Sequence, residues 1–263
     1  MSDKINIIDE IESRIKKGLI NGYNDNILFT QNYSDLQSRI IEYLIVVNVA
    51  QELKEYCFKR GIDVNLEYSL NNFYNNAFPS AVIEGDIFNS KLVNRKNHSP
   101  EDSKSKRLDI VLTSEMQNNN ETFPSTKSMV GIEIKSINQA NKKIKQDIIR
   151  LSKALNLTDP ISENYIKAGF VCFFKRFDKE DKIMSNKEYE IKVKKELEKW
   201  QTYFQDLRET YTALRCSISE VKVATSTAEN YVQNFQEHEY DFSEVAQNTG
   251  FINAYCIRID RNE

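Results

Sequence analysis

The stretches RLDIVLT (residues 107–113) and MVGIEIKS (residues 129–136) decide how this chain folds. Each alternates apolar with other residues at the two-residue period of a β-strand. In the first, Leu108, Ile110 and Leu112 take one face, so Asp109 projects from the other with Arg107 and Val111. In the second, Val130, Ile132 and Ile134 take one face and leave Glu133 and Lys135 together on the opposite one. A polar loop containing Asn118–Asn120 joins the two, which predicts neighbouring antiparallel strands. Two carboxylates and an amine then converge. Such a set suits a hard, oxygen-seeking cation, since Mg²⁺ takes one or two carboxylates, keeps waters and accepts substrate phosphate oxygens. Lys135 beside it would orient or deprotonate a bound water, or neutralise charge developing in a transition state.

Upstream, IDVNLEYSL (residues 62–70) alternates Ile62, Val64, Leu66, Tyr68 and Leu70 against Asp63, Asn65, Glu67 and Ser69, the pattern of a half-buried strand. Residues 34–60 read as a core helix, capped by Ser34 and closed by Gly61, with IIEYLIVVNVA apolar almost all round. Ile5, Ile8, Ile11, Ile15 and Leu19 fall at helical spacing, and Gly18–Gly22 reads as the stop of a short N-terminal helix. Residues 71–80 break the strand pattern, 82–88 (VIEGDIF) read as a short strand or turn, and 89–106 have loop composition. Downstream, a helix over 140–155 carries Ile144, Ile148, Leu151 and Leu155 as its apolar stripe, and KAGFVCFFKR (167–176) is a strand. A charged amphipathic helix over 186–214 and strands at 215–224 and 251–259 complete the chain. The fold class is α/β: an N-terminal helix in 1–33, a core in 34–176, and a helix- and strand-containing extension in 177–263 packed on the same domain.

Composition narrows the chemistry. The 263 residues hold only 7 Gly and 4 Pro, which rules out collagen-like, Pro-rich and Gly-rich linker classes. With 40% hydrophobic and 11% aromatic residues, the chain can offset the entropy of ordering. No stretch approaches the roughly 20 apolar residues of a bilayer-spanning helix, and the charged start MSDKINIIDEIESRIKK does not resemble a secretory signal. The expectation is a cytoplasmic protein with no membrane partner. Cys57, Cys172, Cys216 and Cys256 stand apart without a CxxC pair, as reduced core thiols do. His98 and His238 are the only histidines, which removes the usual zinc patterns and leaves carboxylates, Lys, Arg or hydroxyls to do any catalysis.

A net charge of −3 argues, taken alone, against nucleic acid. The sum hides two basic windows: residues 91–107 hold six Lys or Arg against two acids, and 135–153 hold six against one. Both flank Asp109 and Glu133 in sequence, and a phosphate backbone is bound by locally placed cations.

Asp109 in RLDIVL, Glu133-Ile134-Lys135 in GIEIK and the helix KKIKQDIIRLSKAL directly after resemble the PD-(D/E)XK nuclease superfamily, the restriction-endonuclease-like fold. The resemblance implies a core of helix, three strands, helix, strand over 34–176. It implies metal-dependent hydrolysis of phosphodiester bonds, in DNA rather than RNA, in restriction, repair or defence. It also implies that Asp109 and Glu133 hold Mg²⁺ or Mn²⁺, that the carbonyl between Glu133 and Lys135 joins them, and that Lys135 assists the attacking water. Leu108 stands where the nominal motif has Pro, and Arg150 stands where one subfamily's QxxxY has Tyr. For a third acid, Glu67 on the polar face of its strand is preferred to Glu42 on the preceding helix. Gln146 and Arg150, four apart on one helix face, together with Arg107, Lys106 and Lys142, are the expected substrate contacts.

Two readings from other classes stay open. One is a catalytically inactive nucleic-acid- or protein-binding module on the same fold. The other is a partner in a homodimer or larger homo-oligomer, assembled through Trp200, Tyr203, Phe204 and Leu207, which equally suit a domain core.

Overall fold

The structure, a computed structural model, describes residues 6–30, 41–78, 100, 105–115, 126–159, 163–177, 186–223 and 252–262. Its first helix, α1 (Ile7–Thr30), does not stop at Gly18–Gly22. These glycines lie in mid-helix where α2 (Glu42–Phe58) crosses: a Cβ at Gly18 would stand 2.5 Å from Val49 Cα, and one at Gly22 2.9 Å from Ile45 Cα. They are glycine because backbone approaches backbone, which outweighs the helix propensity each loses relative to Ala. The expected cap Ser34 and the segment 82–88 lie outside the described residues.

Strand β1 (Ile62–Ser69) runs directly into the short helix α3 (Leu70–Asn75), whose first turn is capped by Ser69 accepting the Asn72 N–H. There follow β2 (Arg107–Glu115), β3 (Thr126–Ile137), α4 (Asn141–Leu155), β4 (Ala168–Arg176), α5 (Asn186–Thr210), β5 (Leu214–Lys222) and β6 (Ile252–Arg261). The strands form one six-stranded sheet in the order β1-β2-β3-β4-β6-β5. All neighbours are antiparallel except β3 and β4, and α4 is the crossover that this parallel pair requires. Strand β6 is therefore part of the same sheet as the core, pairing with β4 from Arg176↔Ile252 to Ala168↔Asp260.

Helices cover both faces. Ile11, Ile15 and Leu19 of α1 and Ile45, Val49 and Leu53 of α2 pack with Ile110, Leu112, Ile132 and Ile134 on one side. On the other, Ile144, Ile148 and Leu151 of α4 and Trp200, Phe204 and Leu207 of α5 pack with Val111, Val171, Phe173 and Ile257. Trp200, Phe204 and Leu207 are buried and Tyr203 packs against them partly buried, so these α5 residues that suited an oligomer contact belong to the domain core. Leu108 also differs from expectation: it joins the α4 side with Val111 rather than the face of Ile110 and Leu112. The four cysteines are free and buried, and among the described residues no helix is long and apolar enough to cross a membrane.

Candidate active site

The departure of Leu108 has a local cause. The β2–β3 register runs from Glu115↔Thr126 to Ile110↔Ile132; beyond it, the Ile134 N–H donates to Asp109 Oδ2 at 2.6 Å. A side-chain carboxylate thus replaces the next rung of backbone. On the other neighbour, Glu67 has φ +49, a left-handed conformation uncommon for a residue with a Cβ, and falls between the pairs Leu66↔Ile110 and Tyr68↔Leu108. The strand alternation that the sequence suggests is interrupted on both sides of Asp109.

Beside this break, β3 presents Glu133 and Lys135 toward α4. Lys135 Nζ stands 3.0 Å from Glu133 Oε2, 3.6 Å from Asp147 Oδ2 and 3.8 Å from Asp109 Oδ2, and donates to the Ile134 carbonyl at 3.2 Å. Arg150 closes the other side: its Nη1 donates to Glu133 Oε1, and its Nη2 lies 3.0 Å from Asp147 Oδ1. Glu42, in the first turn of α2, accepts the Ser136 N–H at 2.9 Å, and its charge bears on Asp109 and Asp147. Four carboxylates therefore face two cations, and two negative charges are left over.

Burial makes that excess costly. Glu133 and Asp147 are 2% and 4% exposed. Desolvation pushes the Glu133 carboxyl up to about 8, with Asp109 and Asp147 adding to the rise against Lys135 and Arg150. Desolvation likewise raises Asp109 and Asp147, in spite of Lys135. For Lys135 burial works toward the neutral amine, but Glu133, Asp109 and Asp147 outweigh it and hold the ammonium charged.

The expected residues are not all gathered. Asp109, Glu133, Lys135 and Arg150 come together, and Arg150 is engaged by Glu133 and Asp147 rather than turned to a substrate. Glu67 is exposed and makes no hydrogen bond or ion pair among the described residues, so Glu42 is the acid brought to the cluster. Lys106, Arg107, Lys142 and Gln146 are exposed. Asp147 was missed. Its signal was present: it lies between Ile144, Ile148 and Leu151, an acid within the stripe that buries α4.

Among the described residues, no group of three or more His, Cys, Asp or Glu side chains stands arranged to hold a metal ion; these acids close on the Lys135 ammonium. Their chemistry nonetheless fits a divalent cation, being all oxygen donors, partly buried and in negative excess. Searches of family models, curated proteins and solved structures find no match to this chain.

Proposed function

We propose that this protein is a metal-dependent nuclease of the PD-(D/E)XK kind, hydrolysing phosphodiester bonds with Mg²⁺ or Mn²⁺, and that DNA is its substrate. The observation that carries the reading is the ring of oxygens about Lys135 Nζ, supplied by Asp109, Glu133, Asp147 and the Ile134 carbonyl within 3.0–3.8 Å. Apart from the short helix α3 inserted between β1 and β2, the order α2, β1, β2, β3, α4, β4 also follows the helix, three strands, helix, strand order of the restriction-endonuclease-like core, which adds support.

Asp109, Glu133 and the Ile134 carbonyl would hold the cation. When bound, it supplies Lewis-acid polarisation of the phosphoryl oxygens and a more acidic water. Lys135 remains charged among the acids and holds the nucleophilic water by hydrogen bonding, then stabilises the charge that builds on the phosphoryl oxygens. Asp147 positions Lys135 from α4. Arg150 fixes Glu133 by occupying its second oxygen, and Glu42 fixes the end of β3 through Ser136.

The test is incubation of plasmid and linear DNA with purified protein and Mg²⁺ or Mn²⁺. Cleavage is expected, stopped by EDTA and lowered at least a hundredfold by Lys135→Ala. Undiminished cleavage by that variant sinks the mechanism. One observation favours a second reading, a non-catalytic nucleic-acid-binding module: Lys135 and Arg150 already pair with the acids. A gel shift of DNA with no divalent-cation binding would decide for it.

A further inference from the structure

A second charged site lies at the N-terminal end of α4, where the excess has the opposite sign. The carboxyl ends of the parallel strands β3 and β4 open on a cleft of about 220 Å³, lined by Asn138, Gln139, Asn141, Phe173, Lys175 and Glu196 among others. Glu196 is buried, and two ammonium groups converge on it: Lys175 on Oε2 and Lys199 on Oε1. The indole N–H of Trp200 also donates to Oε1, at 2.8 Å. Lys199 reaches Asn141 Oδ1 at 3.2 Å, bridging α5 to the first turn of α4. Lys145, one turn along α4, packs over the Tyr203 ring at 4.1 Å, and its charge bears on Lys199. Two ammonium groups thus meet at one carboxylate with a third, that of Lys145, acting on Lys199, so positive charge is in excess.

These groups are built rather than incidental. Glu196 fixes Lys175 and Lys199 by one ammonium hydrogen each, and Asn141 takes one more from Lys199. An ammonium has three donors, so each lysine keeps at least one for a ligand. α4 opens on the cleft at Ala140 with no side-chain cap, so its positive end adds to the same field. Crevices at the carboxyl ends of parallel strands, beside a helix start, are where phosphate-bearing ligands bind in open α/β sheets. At about 220 Å³ the cleft is smaller than the roughly 300–1,000 Å³ of pockets that enclose whole organic ligands. It suits one group of a longer molecule lying across it.

We propose that this cleft is a phosphate subsite, in which Lys175, Lys199 and Asn141 hold one backbone phosphate of the nucleic-acid strand whose neighbouring phosphodiester lies at Asp109, Glu133 and Lys135. The assignment of the strand rests on the nuclease reading. Asn141 and Asp147 are six residues apart on α4, roughly 9 Å along its axis, so one strand spans both sites. Lys199 carries a further sign of unmet positive charge: burial, with Lys175 and Lys145 nearby, lowers its ammonium from the usual value although Glu196 pairs with it. An anion in the cleft reverses that.

Trp200 is the chain's only tryptophan and touches Glu196, so its fluorescence reports on the cleft. The experiment titrates a single-stranded DNA oligonucleotide into full-length protein in EDTA, reading Trp200 emission and affinity at several salt concentrations. Saturating oligonucleotide is expected to change the emission. Asn141→Glu, which puts a carboxylate in the cleft at a helix position that tolerates one, is expected to weaken binding at least tenfold. Lys199→Gln is expected to lower the slope of log affinity against log salt by about 0.7, the loss of one single-strand phosphate contact. A methylphosphonate backbone bearing only a 5′-phosphate should bind like Asn141→Glu binds ordinary DNA; full affinity for it would reassign the cleft to a terminal phosphate and overturn the backbone assignment. Silent Trp200 with wild-type affinity in both variants overturns the subsite, even if metal-dependent cleavage is found. A responsive Trp200 and weakened variants without any cleavage keep the subsite and remove the nuclease. If Asn141→Glu melts early, Lys199→Gln decides alone.

Discussion

Glu133 carries the sharpest consequence at the scale of single residues. Its folded carboxyl is raised to about 8 from an ordinary value of 4.5, by burial first and by Asp109 and Asp147 next. A group raised on folding contributes stability that is complete below the ordinary value and is lost as pH climbs through the folded one. The metal-free protein is therefore expected to lose melting temperature between about pH 5 and 8, and Glu133→Gln to flatten that slope. Thermal melts in EDTA check this; a wild-type melting temperature independent of pH over that range would show that the cluster carries no excess charge. Glu133 and Lys135 were legible because alternation sets them on one face of β3, and Asp109 because it is the one acid within the apolar run of β2. Glu42 and Asp147 were not, for different reasons. Glu42 reaches the site only because the start of α2 meets the end of β3, a tertiary fact, whereas Asp147 stood inside an apolar stripe and could have been read as a buried acid seeking partners. Glu67 followed the alternation faithfully and was misplaced by it, since φ +49 at that residue breaks the period.

Elements were read well where period alone sets them. Strands β2, β3 and β4 and helix α4 begin and end within a few residues of their expected bounds, because burial on a sheet face or a helix stripe is what the period encodes. Gly18 and Gly22 mark the limit. A glycine that ends a helix and one that lets two helices touch look alike in sequence, and only the partner, here Val49 and Ile45 of α2, separates them. Gly18→Ala is thus expected to destabilise the fold by about 1–3 kcal/mol, although in an exposed helix the same change stabilises by about 1 kcal/mol. Denaturant unfolding measures the sign directly; a gain in stability would mean the helices are not in contact there.

At the scale of the whole molecule, topology was beyond the sequence. That β6 returns to pair with β4, while β5 takes the edge, depends on long-range pairing that no local pattern carries. Because β6 lies against β4 along nine residue pairs and Trp200 fills the core beside Phe173, α5 and β6 belong to the core. A chain truncated to residues 1–177 is expected to show no cooperative melt, whereas a sharp transition would make the core an independent unit. Charge was half legible at this scale. Within the basic window 135–153, Lys135 and Arg150 pair with the acids of the site, and Lys142, Lys143 and Lys153 are exposed.

The acids around Lys135 are proposed to form a divalent-cation site. Calorimetric titration of Mn²⁺ into the metal-free protein near pH 7 tests it without depending on the right substrate. Saturable binding is expected, with net proton release seen as a heat that varies with the buffer, because the raised Glu133 carboxyl must ionise, and with loss of binding in the Asp109→Asn, Glu133→Gln double variant. A flat titration of wild type, or binding that survives the double variant, would contradict the account.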